Sequence, residues 1–379
     1  MVHLSVYDVA VVGLGAMGSA ALFHLARRGN RVVGIEQFML GHDRGSSHGE
    51  SRAIRLGYSE HPSYVPLVRS AFANWRDLER LTGEILLTTT GILEAGKSGS
   101  SMVQGSLDAC LRHGLDYELL DAAEIIGRFP AFRMPADHSA IWQPEGGFLR
   151  PERANALHLK LARQAGAEIL TESRVLGIEP STRCVRLVLP DRVIEAGSVI
   201  VAAGAWVTDL VPELKPHLFI QRQVLCWYEP LQPDLFALGS FPVFAIEGND
   251  DIVYGFPDFA GTGFKCASHF ASGVVLHADA ARQDAGPADE ARTRRFLEQY
   301  VPQAAGSLTA MKTCMYTMTP GEDFVIDLLP SDPRIVVASP CSGHGFKFAS
   351  VIGEVLADLS LRGETSHDIG RFRIGRFLS

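Results

Sequence analysis

Apolar runs and glycine turns alternate along this chain in a regular way at its start. Tyr7–Val12 is apolar and β-branched, the pattern of a strand buried on both faces. A helix over Ala16–Arg28 follows, ended by Gly29-Asn30, and then a second apolar strand, Arg31–Ile35, that stops at Glu36. Gly45–Arg55 is too polar and glycine-rich to be buried by itself and reads as a loop leading into a helix. Val65–Leu81 has helical spacing at Val65, Val68, Phe72, Trp75, Leu78 and Leu81, which is core packing. Thr88–Leu93 reads as a strand and Ser101–His113 as a helix in a less regular stretch reaching about Ile141. Pro151–Ala165 is a helix with proline in its first turn, Ala167–Thr171 a strand, and a polar hairpin precedes the strongly apolar strand Arg192–Ala203 and the turn Gly204-Ala205-Trp206.

Beyond residue 220 the rhythm changes. Strand-like segments around Gln223–Tyr228, Pro242–Ile246 and Ile252–Phe256 alternate with turns, as in a largely antiparallel sheet, before a helix at Asp289–Tyr300. The chain closes with a buried strand, Arg334–Ala338, a glycine turn, Ser342–Lys347, and a helix, Phe348–Leu361. A chain that leaves and re-enters its first unit in this way predicts an α/β fold in two parts. Residues 1–85, 148–220 and 315–379 form a Rossmann-like nucleotide domain, and 86–147 with 221–314 form a second, mainly antiparallel domain for substrate.

The turn after the first strand carries Gly13, Gly15 and Gly18 as G-x-G-x-x-G. The first allows a tight turn, the second lets backbone approach a pyrophosphate, and the third lets the helix pack closely on the sheet. Unpaired N–H groups at the helix start suit phosphate oxygens, and Glu36 stands where a carboxylate accepts hydrogen bonds from a ribose. A short distance on, GSSHGESRAIR places His48, Arg52 and Arg55 together, either as donors to the rest of a cofactor or as a solvated basic loop.

Composition narrows the partners. The chain has 379 residues, 46% of them hydrophobic, enough for a sizeable core, and a formal charge of −8 that disfavours nucleic acid or an anionic membrane. No stretch approaches a membrane span, and the opening MVHLS lacks the basic region of a signal peptide. Six cysteines are scattered without metal-ligand spacing, which suits a reducing cytoplasm and predicts no metal site.

Taken with GSSHGESRAIR and the YVPLV after it, VYGFP at 253–257, Lys265 with His269, CMYTMTPGEDFVID at 314–327 and SGHGFKFAS at 342–350 make the chain resemble the monomeric sarcosine oxidase and N-methyltryptophan oxidase family of FAD-dependent amine oxidases over essentially its whole length. The resemblance implies FAD held covalently by a thioether from Cys314, with His48 and Arg52 at the flavin's reactive face. It implies that Lys265 helps oxygen accept electrons, that Tyr254 and His269 line the substrate pocket, and that Arg55 and Lys347 clamp a substrate carboxylate. Gly343 and Gly345 would bring backbone N–H groups to the flavin's pyrimidine carbonyls, where Lys347 would also assist. Two positions depart from the family pattern: Ala245 replaces a flavin-facing methionine, making room for substrates bulkier than sarcosine, and Ser47 replaces one of a pair of histidines.

The expected activity is thus oxidation of a secondary amino acid by oxygen, giving demethylated amino acid, formaldehyde and hydrogen peroxide, by a cytoplasmic monomer. Oxidation of fructosyl or cyclic amino acids, or a flavin amine dehydrogenase with another acceptor, are the competing expectations.

Overall fold

The computed structural model describes residues 6–248, 251–269, 272–275, 277–281 and 284–377, so the leading MVHLS lies outside it. Strand Val6–Val12 pairs in parallel with Val32–Ile35 on one side and Val193–Val201 on the other. The second half of Val193–Val201 pairs in parallel with Asp332–Ser339, and its first half is antiparallel to Val185–Val188 of the expected hairpin. Glu168–Leu170, Gly177–Pro180 and Val325–Leu329 bring this sheet to eight strands among the described residues. The carboxyl ends of its parallel strands therefore converge on Gly13, Glu36, Ala202 and Pro340, where ligands of open α/β sheets bind.

Helix Ala16–Arg27 covers this sheet and is flanked by Pro151–Gln164 and Ala349–Arg362. Its buried side begins with Ala16, Gly18, Ser19, Ala20 and Ala21, so neighbouring backbones come close. A Cβ on Gly353 would lie 2.5 Å from the Ala20 carbonyl carbon. Between these helices His158 is 1% exposed, its ring 5.3 Å from Phe23 and 5.6 Å from Trp75, and its Nδ1 has no hydrogen-bond partner among the described residues. Burial lowers its pKa to about 3, helped by neighbouring His24, whose own pKa burial lowers to about 4. The unfolded chain then binds more protons than the native one below about pH 6.5, so this stability is complete above that pH and is lost as pH falls toward 4. Melting temperature should be level near pH 7 and drop steadily between about pH 6.5 and 4.5. His158→Leu should flatten part of the drop; an equally steep drop in that variant would assign it to other groups.

The second sheet has nine strands among the described residues, running Ser272–Val275, Phe219–Tyr228, Phe264–Ser268, Ile252–Phe256, Val243–Glu247, Ile92–Lys97, His138–Gln143 and Glu118–Asp121, with Leu308–Met318 also on Phe219–Tyr228. All neighbours are antiparallel except Val243–Glu247 with Ile92–Lys97. Strand periodicity puts Lys265 and Ala267, Leu225 and Trp227, and Cys314 and Tyr316 on one face, with Tyr254 packed against it. Among the described residues no helix is long and apolar enough to cross a membrane.

Two local expectations need correction. The loop Gly45–Arg55 does not lead directly into a helix. Arg52–Ile54 is a strand paired with Gly147–Leu149, and the helix starts only at Tyr64. The run Thr88–Leu93 is two strands, because Gly91 turns the chain at φ +69 and a Cβ there would meet the Trp142 ring. Leu87–Thr89 joins Gly147–Leu149, while Ile92–Lys97 enters the larger sheet. Both outcomes depend on a partner strand far away in sequence, which a local pattern does not reveal.

Candidate active site

A cavity of about 980 Å³ opens at the carboxyl ends of the parallel strands, lined by Gly13, Gly15, Glu36, Arg52, Gly343 and Gly345 among others. Two of the three glycines of the first turn are required by their own surroundings. Gly13 has φ +87 and a Cβ there would lie 2.6 Å from the Ala202 oxygen, while one on Gly18 would lie 1.8 Å from the Gly13 oxygen. Gly15 meets no backbone: its near neighbour is the Ser47 hydroxyl at 3.5 Å, leaving the turn open to an approaching phosphate. The Ser47 hydroxyl accepts from the Ala16 N–H at 3.2 Å, giving this position a part in the helix start. Glu36 is held ready by the Leu14 N–H at 2.8 Å and the Phe38 N–H at 3.1 Å. Open glycine cradle, helix N-terminus and buried carboxylate fit the pyrophosphate and ribose of a dinucleotide.

In the cavity lining, Arg52 is fixed by the carbonyl oxygens of Ser46 at 2.9 Å, His48 at 2.5 Å and Ser51 at 2.8 Å, and it reaches to 3.9 Å from Cys314 Sγ. The His48 ring is 5% exposed, and neither nitrogen has a partner among the described residues. Burial, then the charge of Arg52, lowers its pKa to about 4, so the ring is neutral and keeps a donor and an acceptor for a group that comes between them. Cys314 and His48 line a second, polar cavity of about 430 Å³ that shares Gly45 and Met315 with the first.

Lys265 is buried on the sheet face behind Arg52. Its ammonium donates to the Gly49 oxygen at 2.5 Å, the Ser51 oxygen at 2.9 Å and the Ser51 hydroxyl at 3.0 Å, and it sits 4.6 Å from the Phe256 ring centre and 5.6 Å from that of Trp227. Tyr254 and Tyr316 meet through their hydroxyls at 3.2 Å. Burial raises both phenol pKa values, so each stays protonated. The His269 ring is 5.5 Å from that of Tyr316, and burial lowers its pKa to about 4. A Cβ on Gly343 would lie 2.6 Å from His269 and 2.7 Å from Tyr316, so a residue with φ +78 and no side chain is needed there. A Cβ on Gly345 would lie 1.5 Å from the Pro340 oxygen. Ala245 is half-buried, opposite Tyr254 on one strand and Glu94 on the other.

Arg55 and Lys347 both lie over the Tyr58 ring, 4.7 and 5.2 Å from its centre. Arg55 already holds two carboxylates: Nη2 donates to both Glu60 oxygens at 2.8 and 2.7 Å, and Nε is 2.8 Å from Glu94. Glu94 is fully buried and also accepts from Ser106 and Gln143, whereas the Glu60 side chain is 25% exposed. Lys347 donates to the His344 oxygen at 2.7 Å, and burial followed by the charge of Arg55 lowers its pKa to about 7.

The large cavity thus touches Arg52 and the two C-terminal glycines, while Lys265, Tyr254, His269, Arg55, Lys347 and Ala245 lie beyond its lining. The sequence reading passed over Tyr316, Glu60, Glu94, Tyr58 and Glu152. Tyr316 had a usable signal, being two residues from Cys314 on one strand, and Glu94 had another, as an acid inside the apolar run ILEAG. The acids Glu60 and Glu152 are marked by no local pattern.

Comparison with known proteins places these features in context. The chain matches the family described as DAO, FAD dependent oxidoreductase, over residues 8–359. It is 39% identical over 371 residues to a monomeric sarcosine oxidase of Streptomyces avermitilis, covering 97% of this chain and 96% of that one. It is 35% identical over 374 residues to an N-methyl-L-tryptophan oxidase of Yersinia pestis, covering 98% and 99% respectively. Among solved structures, the open form of NikD, an unusual amino acid oxidase essential for nikkomycin biosynthesis, is similar with a TM-score of 0.86 at 26% identity, over 97% of each chain.

Proposed function

The chain belongs to the FAD-dependent oxidoreductase family, and from that premise we propose that it is an oxidase of secondary amino acids, N-methyl amino acids foremost. The reaction takes R–NH–CH₃, oxygen and water to R–NH₂, formaldehyde and hydrogen peroxide. Bound FAD supplies the two-electron acceptor that takes hydrogen from the carbon beside nitrogen and hands the electrons to oxygen. Residues 1–85, 148–220 and 315–379 would form the cofactor domain and 86–147 with 221–314 the substrate domain, with strand Leu308–Met318, paired along its length in the larger sheet, spanning their boundary. Gly13, Gly15, Gly18 and Glu36 would hold its pyrophosphate and ribose, and Gly343 and Gly345 would approach its pyrimidine edge. His48, Arg52 and Cys314 would surround the flavin, with the sulfur bonded to it.

The observation that carries the substrate class is Arg55, whose Nη2 already donates to both oxygens of one carboxylate beside a second buried cation. A substrate carboxylate can exchange with partly exposed Glu60 while Glu94 keeps its place. An anion there also favours the charged form of Lys347, which burial otherwise disfavours. Neutral Tyr254 and neutral His269 would orient the amine. Lys265 supports oxygen as the acceptor. The small Ala245 opposite Tyr254 favours a side chain or N-substituent larger than that of sarcosine, and with it a fructosyl or cyclic amino acid as the second reading. We take the enzyme to work as a monomer in the cytoplasm.

Peroxide release should be measured over a panel of N-methyl, fructosyl and cyclic amino acids, together with the decarboxylated amine of each N-methyl substrate. Peroxide is expected from N-methyl amino acids and not from the amines. Arg55→Lys keeps a charge beside Glu94 but loses the fork, so kcat/KM should fall by about 10- to 100-fold, matching roughly 1.5–3 kcal/mol of charge-assisted hydrogen bonding, and preference over the amine should shrink by the same factor. Unchanged preference would put the carboxylate clamp elsewhere. Turnover seen only with an artificial acceptor would make the enzyme a dehydrogenase.

A further inference from the structure

The three oxygens around the Lys265 ammonium all belong to one short turn, Gly49-Glu50-Ser51. Two successive residues of that turn are in the left-handed region, Gly49 at φ +96 and Glu50 at φ +72. Glycine adopts this readily, but a glutamate remains there only where its surroundings over-determine it. Contacts from two distant elements do so. Glu152 accepts from the Gly49 N–H at 2.6 Å and from the Glu50 N–H at 3.1 and 3.2 Å, and the Trp227 indole donates to Glu50 Oε2 at 3.1 Å.

Glu152 occupies the first turn of helix Pro151–Gln164, where an acid ordinarily serves its own helix's N–H groups. Here it serves a loop instead. Gly49 joins it to the lysine, its N–H going to Glu152 and its carbonyl to Lys265. The turn is also seated on the sheet face that carries the lysine, since a Cβ on Gly49 would lie 2.4 Å from Leu225. We propose that Glu152 is a positioning residue for Lys265, its carboxylate holding the Gly49–Ser51 turn in the form that sets where the ammonium stands. This rests on the reading of Lys265 as the group that helps oxygen accept electrons.

The test compares Glu152→Gln, which keeps the reach and the acceptor without the charge, with Glu152→Asp, which keeps the charge but is one methylene shorter. Anaerobic flavin reduction by an N-methyl amino acid and reoxidation by oxygen are timed in each holoenzyme by stopped flow. Their ratio is the readout, so a partial loss of folded protein does not enter it. Compared at the low-pH limit of the reoxidation profile, where the lysine is charged in every variant, reduction should stay near the unmodified rate in both, with reoxidation within about threefold for Glu152→Gln and slowed about tenfold or more for Glu152→Asp. A Glu152→Asp enzyme that reoxidises normally, or a Glu152→Gln enzyme as slow as Glu152→Asp, overturns the proposal. Lys265→Met run alongside separates the two ideas. If that variant reoxidises normally the reading of Lys265 itself fails, whereas slow Lys265→Met with normal Glu152→Asp removes only the positioning role.

Discussion

Lys265→Met should leave anaerobic reduction by substrate close to the unmodified rate and slow reoxidation by oxygen about 100-fold or more, the scale seen when one preorganised charge or donor is taken from a developing anion. A cation stabilises charge arriving on oxygen strongly only where water is excluded, and Lys265 is 2% exposed between Trp227 and Phe256. Methionine fits that aromatic slot, so the fold should survive, with about 1–3 kcal/mol lost for leaving the Gly49 and Ser51 oxygens without their donor. Burial, followed by the charge of Arg52, lowers the pKa of Lys265 well below that of an ordinary lysine, with Glu152 the largest influence in the other direction. The ammonium is therefore most populated at lower pH, and the reoxidation constant of the unmodified enzyme should decline as pH rises through the lowered pKa, while the methionine variant shows no such decline. Slow reduction with normal reoxidation would instead move Lys265 to the substrate side.

Cys314→Ala should convert a bound yellow colour into a removable one. Acid precipitation of the unmodified protein should leave the flavin in the pellet, and the same treatment of the variant should release it to the supernatant. The basis is the placement of the sulfur on the strand face shared with Leu225, Trp227 and Ala267, 3.9 Å from the Arg52 guanidinium. Arg52 is fixed by three carbonyl oxygens and cannot easily follow another partner, so Arg52→Met should slow attachment while leaving the thiol in place. Removing one sulfur from a packed position costs about 1 kcal/mol, so the alanine variant should stay folded and bind FAD noncovalently. A colourless pellet from the unmodified protein, or colour retained in the Cys314→Ala pellet, would rule out the thioether.

What could be read from the sequence alone were features whose physics is local. Gly13, Gly15 and Gly18 between an apolar strand and a helix, answered by Glu36, specify a nucleotide turn because positive φ and close backbone approach are demands on single residues. Helical spacing over Val65–Leu81 and the apolar run before Gly204 likewise predicted a helix, Tyr64–Thr82, and a strand, Val193–Val201, to within a few residues. The chemistry of Lys265, His269 and Cys314 came instead from blocks shared with a family, since a buried lysine or thiol has no periodicity of its own. Only the tertiary structure decided the partners of each charge. Arg55 meets Glu60 five residues away and Glu94 on another strand, Tyr254 meets Tyr316 across 62 positions, and Glu152 reaches the turn under Lys265 across 103. Such pairings are set by strand register and by how one sheet face docks on the loop beneath it. Both depend on the whole chain being folded, because only the summed burial of distant apolar faces fixes which polar groups are left to meet.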